Sequence, residues 1–175
     1  MYQFVWKVNN EINIHINDGN GEDIDFTSEP LLSANWNTID IDGFESYEYS
    51  IGTLPGSNDV LGWTPTKEQN FKVSFVKYKP TIKYFSNVRL KYTNGIFSKI
   101  YSSDGLIIDL TPPTYPKRIN DSTGDDTRFS NSLTTLSTNW TEAIDHESGI
   151  LYYDVAIGSR PSGTDIINWK RVKER

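Results

Sequence analysis

The chain has 175 residues, which leaves room for one large domain or for one and a half to two small ones. Hydrophobic residues make up 36% and aromatic residues 13%, enough for packed cores, which argues against wholesale disorder. The formal net charge is −6 and no basic patch appears, which argues against nucleic-acid partners and against adhesion to an anionic membrane. Cysteine is absent, so disulfides, thiolate nucleophiles and cysteine metal sites are excluded.

The amino-terminal residues 1–9 are predicted to be a linker or the end of a preceding unit, because they match nothing in the later part of the chain. They lack the basic flank and the long apolar core of a signal peptide. No apolar run in the sequence approaches the ~18 residues that a membrane-spanning helix needs, so no membrane insertion is expected.

Alternation of apolar and polar residues predicts the first strands. Residues 11–16 read as the first strand, and the acidic, glycine-containing residues 18–25 read as a loop. Two strands follow, over residues 32–36 and 46–51. The side chains predicted to share the inner face of these two strands are Leu32, Ala34, Trp36, Tyr47, Tyr49 and Ile51.

Four more strands are predicted beyond Trp63, and no segment has the pattern of a helix. Their ranges are residues 71–78, 84–92, 97–101 and 105–110. Thr93-Asn94-Gly95 is a hairpin signal, and Thr111-Pro112-Pro113 ends the sheet because two prolines cannot donate to a ladder. About seven half-buried strands separated by turn signals predict an all-β sandwich.

An internal repeat sets the domain organisation. The stretch from Leu32 to Trp63 returns in degraded form from Leu136 to Trp169. The paired positions are Asn17-Asp18 with Asn120-Asp121, Trp36 with Trp140, Tyr47 with Tyr153, Ile51-Gly52 with Ile157-Gly158, Asp59 with Asp165, and Trp63 with Trp169. The second copy has no match to residues 71–110, so we expect the chain to be a piece of a longer polypeptide or to be completed by a partner chain.

These motifs resemble tandem fibronectin type III-like domains of large extracellular proteins, bacterial surface and secreted proteins especially. The residues that carry the resemblance are LSANW, SYEYSIGTLPGSNDV, YFSNVRLKYTNG, SDGLIIDLTPP and LSTNW followed by SGILYYDVAIG. The resemblance implies an immunoglobulin-like β-sandwich for residues 10–111 and the amino-terminal part of a second one for residues 112–175. It also implies that Trp36 and Trp140 pack at the sandwich centres and that Tyr84 pins the loop before its strand.

Catalytic chemistry finds no support in the sequence. His15 and His146 are the two histidines, and the run Asp145-His146-Glu147-Ser148 reads as an exposed loop, because neighbours in sequence do not form a triad. Paired carboxylates of the glycosidase kind lack a recognisable scaffold. Gly19 and Gly21 do not form a phosphate loop, because no helix or lysine completes one. We predict no catalytic, cofactor-binding or metal-ligating residue and no cofactor.

Two binding features stay open. Calcium is the one metal with plausible ligands, and they are Asp18, Asn20, Glu22, Asp23 and Asp25, echoed by Asp121, Asp125 and Asp126. Their spacing lacks the EF-hand glycine and terminal glutamate, which favours a solvated acidic turn. Trp63 and Trp169 could form a carbohydrate platform, although caps at the end of the sandwich are favoured.

The sequence therefore predicts a non-enzymatic structural spacer and interaction module of an extracellular or cell-surface protein. Its expected partners are neighbouring domains of the same polypeptide, with a protein or polysaccharide ligand left open. The alternative is an accessory domain of a secreted hydrolase that holds a polysaccharide or protein substrate.

Overall fold

A computed structural model describes residues 12–37, 40–74 and 77–173 of the chain. Within these ranges the protein is built from β-strands, as predicted, and contains no helix. The chain divides into two compact units, Met1–Leu110 and Thr111–Arg175, which are described separately below. Residues 1–9, predicted to be a linker, lie outside the described ranges. None of the described segments forms a helix of the length and hydropathy needed to cross a membrane.

The first unit forms a three-stranded and a larger sheet from nine strands in its described part. Their bounds are β1 (Ile16–Asp18), β2 (Phe26–Thr27), β3 (Leu31–Trp36), β4 (Phe44–Gly52), β5 (Leu61–Thr66), β6 (Asn70–Ser74), β7 (Lys83–Tyr92), β8 (Tyr101–Ser102) and β9 (Leu106–Ile108). The smaller sheet has the order β1-β3-β6, and the larger one has the order β2-β9-β7-β4-β5, with β8 also paired to β7. All pairings are antiparallel except that of β2 with β9.

The core of the first unit lies between the two sheets, and its aromatic contacts join them. The Trp36 ring on β3 meets the Tyr47 ring on β4 edge to face, with centroids 5.5 Å apart. Tyr49 on β4 stacks on Phe71 of β6 with centroids 4.5 Å apart. Trp36 and Tyr47 are buried, which confirms the inner faces predicted for their strands. Other buried members of this core are Ile16, Leu32, Ala34, Ile51, Tyr84, Val88, Leu90, Leu106 and Ile108.

Tyr84 has the corner role that the resemblance implies. Its hydroxyl oxygen accepts a hydrogen bond of 2.9 Å from the backbone N–H of Lys79, five residues earlier. Tyr84 is itself buried at the start of β7. The side chain thus fastens the loop before β7 to the body of the sandwich, as a tyrosine corner does. Several sheets, no helix in the described ranges and a shared aromatic core are consistent with a fibronectin type III-like β-sandwich.

Several strand predictions were wrong in position. The first strand is Ile16–Asp18 and not residues 11–16, and the strand predicted over residues 97–101 is reduced to a single bridge from Phe97 to Lys91 followed by β8. Strand β5 was missed, because Gly62 and Pro65 argue against a strand in local sequence. An edge position next to β4 allows them. The strand predicted over residues 71–78 is shorter, at Asn70–Ser74: Lys77 and Tyr78 are not in a strand, and residues 75 and 76 lie outside the described ranges.

The second unit repeats part of this strand pairing. Its strands are β10 (Ile119–Asn120), β11 (Asn139–Trp140), β12 (Tyr153–Ile157) and β13 (Ile167–Val172). Trp140 pairs with Ile119 as Trp36 pairs with Ile16. β12 and β13 have the same register and the same bulge position as β4 and β5. The Trp140 and Tyr153 rings meet edge to face with centroids 5.4 Å apart, as Trp36 and Tyr47 do.

The second unit buries its apolar side chains much less than the first. Leu136 is 56% exposed, whereas Leu32, its counterpart in the repeat on the inner face of β3, is 3% exposed. In the first unit this face is covered by β6, β7 and β9, and the described part of the second unit contains no equivalent of those strands. Trp140 is half-buried.

Candidate functional site

The outer face of the larger sheet carries an aromatic and charged cluster, which we call the Arg89 ladder and define as Trp63, Arg89, Phe97 and Glu48. The guanidinium carbon of Arg89 lies 4.2 Å from the centroid of the Trp63 ring and 3.9 Å from that of Phe97. The Glu48 carboxylate accepts two hydrogen bonds from the same guanidinium, the shorter at 2.7 Å. Four side chains from separate segments therefore form one stacked, charge-balanced group.

Strand register assembles the Arg89 ladder. Arg89 on β7 lies directly opposite Glu48 on β4, and both alternate with buried residues of their strands. The hairpin turn at Gly95, with φ of 81°, brings Phe97 back beside β7. The β4–β5 pairing places Trp63 next to the same face. The prediction that Trp63 caps the end of the sandwich was wrong, because Arg89 holds the indole on the outer face of the sheet.

This geometry restricts what the face can bind. Arg89 covers one face of the Trp63 ring, and its charge is balanced by Glu48. The stacked guanidinium closes that face of Trp63 to a sugar ring. The Arg89 ladder is thus a structural element of the sheet.

The equivalent tryptophan of the second unit is open. Trp169 on β13 is 65% exposed. Beside it, the Arg171 guanidinium lies 3.4 Å from the centroid of the Tyr152 ring and pairs with the Asp154 carboxylate at 3.1 Å. That hydrogen-bonded carboxylate raises the pKa of Arg171 above its ordinary value. Trp169 and the basic residues around it form the exposed aromatic surface of this unit.

The predicted acidic loop contains one residue that is not solvated. Asp18 is 1% exposed and ends β1, so its assignment to a solvated turn was wrong. One of its carboxylate oxygens accepts a hydrogen bond of 2.7 Å from the Ser86 hydroxyl, and the other accepts one of 3.0 Å from the Gly105 N–H. Burial raises the pKa of Asp18, and these hydrogen bonds partly oppose that rise.

Three carboxylates could hold a metal ion here. Oxygens of Asp18, Asp23 and Asp104 lie within 4.8 Å of one another, and Asp23 and Asp104 are exposed. Calcium takes six to eight oxygen ligands. Both carboxylate oxygens of Asp18 already accept hydrogen bonds, and the Asp23 carboxylate accepts one of 2.7 Å from the Asp18 N–H. The three carboxylates therefore fit a folded, hydrogen-bonded acidic turn.

A pair of asparagines shapes this turn in both units. The Asn35 amide donates to the carbonyls of Gly19 and Gly21, and Asn17 donates to the Asn35 side chain. In the second unit Asn139 and Asn120 make the corresponding bonds, at 2.7 Å from Asn139 to Gly124 and at 3.0 Å from Asn120 to Asn139. The repeated Asn-Asp motif therefore has a structural role in each unit.

The loop after β4 is closed by an aspartate. The Asp59 carboxylate accepts hydrogen bonds from Ser57 and from both the hydroxyl and the N–H of Thr53, which hold its pKa well below the ordinary value. Asp165 accepts the equivalent bond from the Ser159 N–H, with its pKa lowered for the same reason.

A glycine stands at the base of each of these loops because the backbone comes close. A Cβ on Gly52 would lie 1.9 Å from the Ser57 side-chain oxygen and 2.5 Å from its carbonyl oxygen. A Cβ on Gly158 would lie 2.3 Å from the Gly163 carbonyl group. No larger residue fits at either position.

The structure separates the two histidines between the two units. His15 and His146 are exposed and lie in different units. Asp145 accepts hydrogen bonds from the backbone N–H groups of Glu147 and Ser148, so the Asp-His-Glu-Ser run is a turn, as predicted.

Sequence reasoning did not join Arg89 to Trp63 or Phe97, because Trp63 lies on a missed strand and Phe97 forms only a single bridge with β7. It also missed Asp104 and Ser86, the partners of the acidic turn. The available signal for Ser86 was its phase in β7, which puts this one polar side chain on the same strand face as Tyr84, Val88 and Leu90.

No protein-family model matches the sequence, and no curated protein matches it. The chain is similar to the structure of a Fn3-like protein from Clostridium thermocellum, with 18% sequence identity and a TM-score of 0.34, over 54% of this chain and 86% of that one. It is also similar to the structure of alpha-L-rhamnosidase from Dictyoglumus thermophilum, with 11% identity and a TM-score of 0.38. That similarity covers 84% of this chain and 17% of the rhamnosidase.

Proposed function

We propose that the chain is a non-catalytic structural and interaction module, composed of tandem fibronectin type III-like sandwiches and belonging to a larger extracellular or cell-surface protein. The recurrence of one strand register supports this proposal. The pairing of β12 with β13 repeats that of β4 with β5, while many surface side chains differ between the two units. A repeated frame with variable surface residues is typical of modules that space and present binding surfaces.

The polar side chains that recur between the units support a structural role. The asparagine pairs and the loop aspartates all bond to the backbone or to side chains of their own unit. The exposed Leu136 supports the expectation that further strands cover the second unit in the intact protein.

The test is to find where the native product resides and how large it is. An antibody raised against this chain is used to blot cytoplasmic, envelope and medium fractions of the source organism. A band well above 20.0 kDa in the envelope or medium is the expected result. A cytoplasmic band of that mass would overturn the extracellular proposal.

The second candidate function is that of an accessory domain that holds a polysaccharide or protein substrate for a secreted hydrolase. The observation that favours it is the 65% exposure of Trp169, which leaves an aromatic surface free. Pull-down of the chain on insoluble polysaccharides tests it. Retention that is lost in Trp169→Ala and kept in Trp63→Ala would support the accessory role. If no polysaccharide retains the chain, a carbohydrate-binding role is excluded.

A further inference from the structure

Strand β13 has a free edge. It pairs with β12 on one side, and no strand among residues 12–37, 40–74 and 77–173 pairs with its other side. Its equivalent in the first unit, β5, is also an edge strand, because β5 pairs with β4 alone. An edge strand presents N–H and C=O groups that can form hydrogen bonds with an added strand.

The two edges differ at one decisive position. Pro65 of β5 lies opposite Glu48, and Arg171 of β13 lies opposite Asp154 in the same register. A proline has no N–H and is tolerated in a strand where the backbone nitrogen faces away from the neighbouring strand. The shared register therefore directs the N–H of Arg171 to the free edge of β13. Pro65 offers no donor there, so the edge of β5 cannot form this hydrogen bond with an added strand, whereas the edge of β13 can.

The free edge is also basic and partly apolar. Lys170 and Lys173 are exposed, and no acidic residue lies within residues 167–173. Arg171 is also exposed, but its guanidinium pairs with Asp154 of β12, so the two lysines supply most of the free positive charge. The chain as a whole has a net charge of −6, so this cluster stands out. Trp169 and Arg171 alternate along the strand with Lys170 and Val172, which places the indole and the guanidinium on the same face. An incoming strand would meet positive charge and one large apolar ring.

We propose that the free edge of β13 binds an extended, acidic segment of a partner protein by β-strand addition. The backbone of the segment pairs with β13, its carboxylates lie beside the basic side chains, and an apolar side chain covers Trp169. Opposite charges on adjacent strands are favourable, whereas like charges directly opposite are destabilising. A second copy of β13 would bring like charges together, so a partner protein of acidic character fits the edge better.

This inference deepens the proposed function, on which it rests, by naming the class of partner that the module binds. The two tests fail separately. Loss of peptide binding would leave the cellular location and mass of the native product unchanged, and a cytoplasmic location would leave the edge of β13 intact.

The experiment is an NMR titration of the whole ¹⁵N-labelled chain with a capped peptide. The peptide has about ten residues, the upper end of common strand lengths. It alternates threonine and glutamate and has one central valine. We expect the amide signals of residues 167–173 to shift and those of β5 to stay. Binding should weaken as salt is raised, because exposed charges are screened. A matched peptide with lysine in place of glutamate should cause no shift.

Two variants separate the backbone from the charge. Arg171→Pro copies the first unit and should weaken binding by about tenfold or more, the effect of losing about 1.4 kcal/mol. Arg171→Ala keeps the N–H and should weaken binding by about threefold, with a smaller salt dependence. A glutamate peptide N-methylated on the pairing face should fail to bind the unchanged chain, a control that does not depend on the folding of either variant.

Three results would overturn the proposal. They are equal binding of the methylated and unmethylated peptides, shifts confined to residues outside 167–173, and self-association of the chain through β13 in sedimentation experiments. The last would identify a second copy as the occupant of the edge.

Discussion

The Asp18 carboxylate on β1 accepts a hydrogen bond of 2.7 Å from the Ser86 hydroxyl on β7, so one buried side chain joins the two sheets of the first unit. Ser86→Ala removes this hydrogen-bond donor from the buried carboxylate of Asp18. We expect the free energy of unfolding of the first unit to fall by about 1–3 kcal/mol. Urea denaturation followed through the NMR signals of β7 measures the change. Ser74→Ala, at an exposed position of β6, is the matched control and should change stability much less.

Asp59 should make stability depend on pH. Its folded pKa lies below the ordinary value of 3.8, so its contribution is present above that value and is lost as pH falls through the folded pKa. Asp59→Asn should therefore be less stable than the unchanged chain at neutral pH, with the difference shrinking below about pH 4. Thermal unfolding measured across this range tests the sign. A difference that grew with acidification would contradict it.

Tyr84→Phe tests the corner that fastens the loop before β7. The change removes the acceptor of the Lys79 N–H while keeping the ring in the core. We expect a loss of about 1–2 kcal/mol in unfolding free energy and faster hydrogen exchange at the Lys79 amide. Tyr115→Phe provides the same chemical change at a 91% exposed residue and should be neutral. Unchanged exchange at Lys79 would show that the hydroxyl does not hold the loop.

The Arg89 ladder should show measurable coupling. In a double-mutant cycle with Arg89→Lys and Trp63→Leu, the lysine retains a charge for Glu48 but loses the planar stack on the indole. We expect a coupling energy of about 0.5–1 kcal/mol in urea denaturation. The Lys91–Glu45 pair is largely exposed, and no ring among the described residues stacks on Lys91, so a cycle there should give a smaller coupling. Equal couplings would mean that stacking adds nothing.

Calcium should leave the acidic turn unchanged. Asp18, Asp23 and Asp104 supply three carboxylates, and the oxygens of Asp18 already accept hydrogen bonds. We expect no binding heat in calorimetry and no shift in melting temperature on adding calcium. Saturable heat that Asp104→Asn abolishes would show that the three residues do form a metal site.

The elements that were predictable from sequence are those whose signal is local. Alternation placed Trp36 and Tyr47 on inner faces, and both are buried. The resemblance to fibronectin type III-like domains implied that Tyr84 pins the loop before its strand, and its hydroxyl oxygen accepts a hydrogen bond from the Lys79 N–H.

Other features depend on distant partners and left no local signal. Asp18 lies in an acidic run that is typical of a solvated loop, yet Ser86 and Gly105 from remote strands bury it. Strand β5 exists because β4 pairs with it, despite Gly62 and Pro65. Leu136 repeats the pattern of Leu32, but pattern alone does not supply the strands that cover it.

The loop after β4 is closed at its base and carries an exposed side chain at its tip. Gly52 and Asp59 hold the base of this loop, and its tip residue Leu54 is 66% exposed. In the second unit Arg160 occupies the equivalent place between Gly158 and Asp165. Each unit is therefore a natural display scaffold. A foreign peptide inserted in place of Pro55 would leave Thr53, Ser57 and Asp59 intact, and their hydrogen bonds would still close the base of the loop.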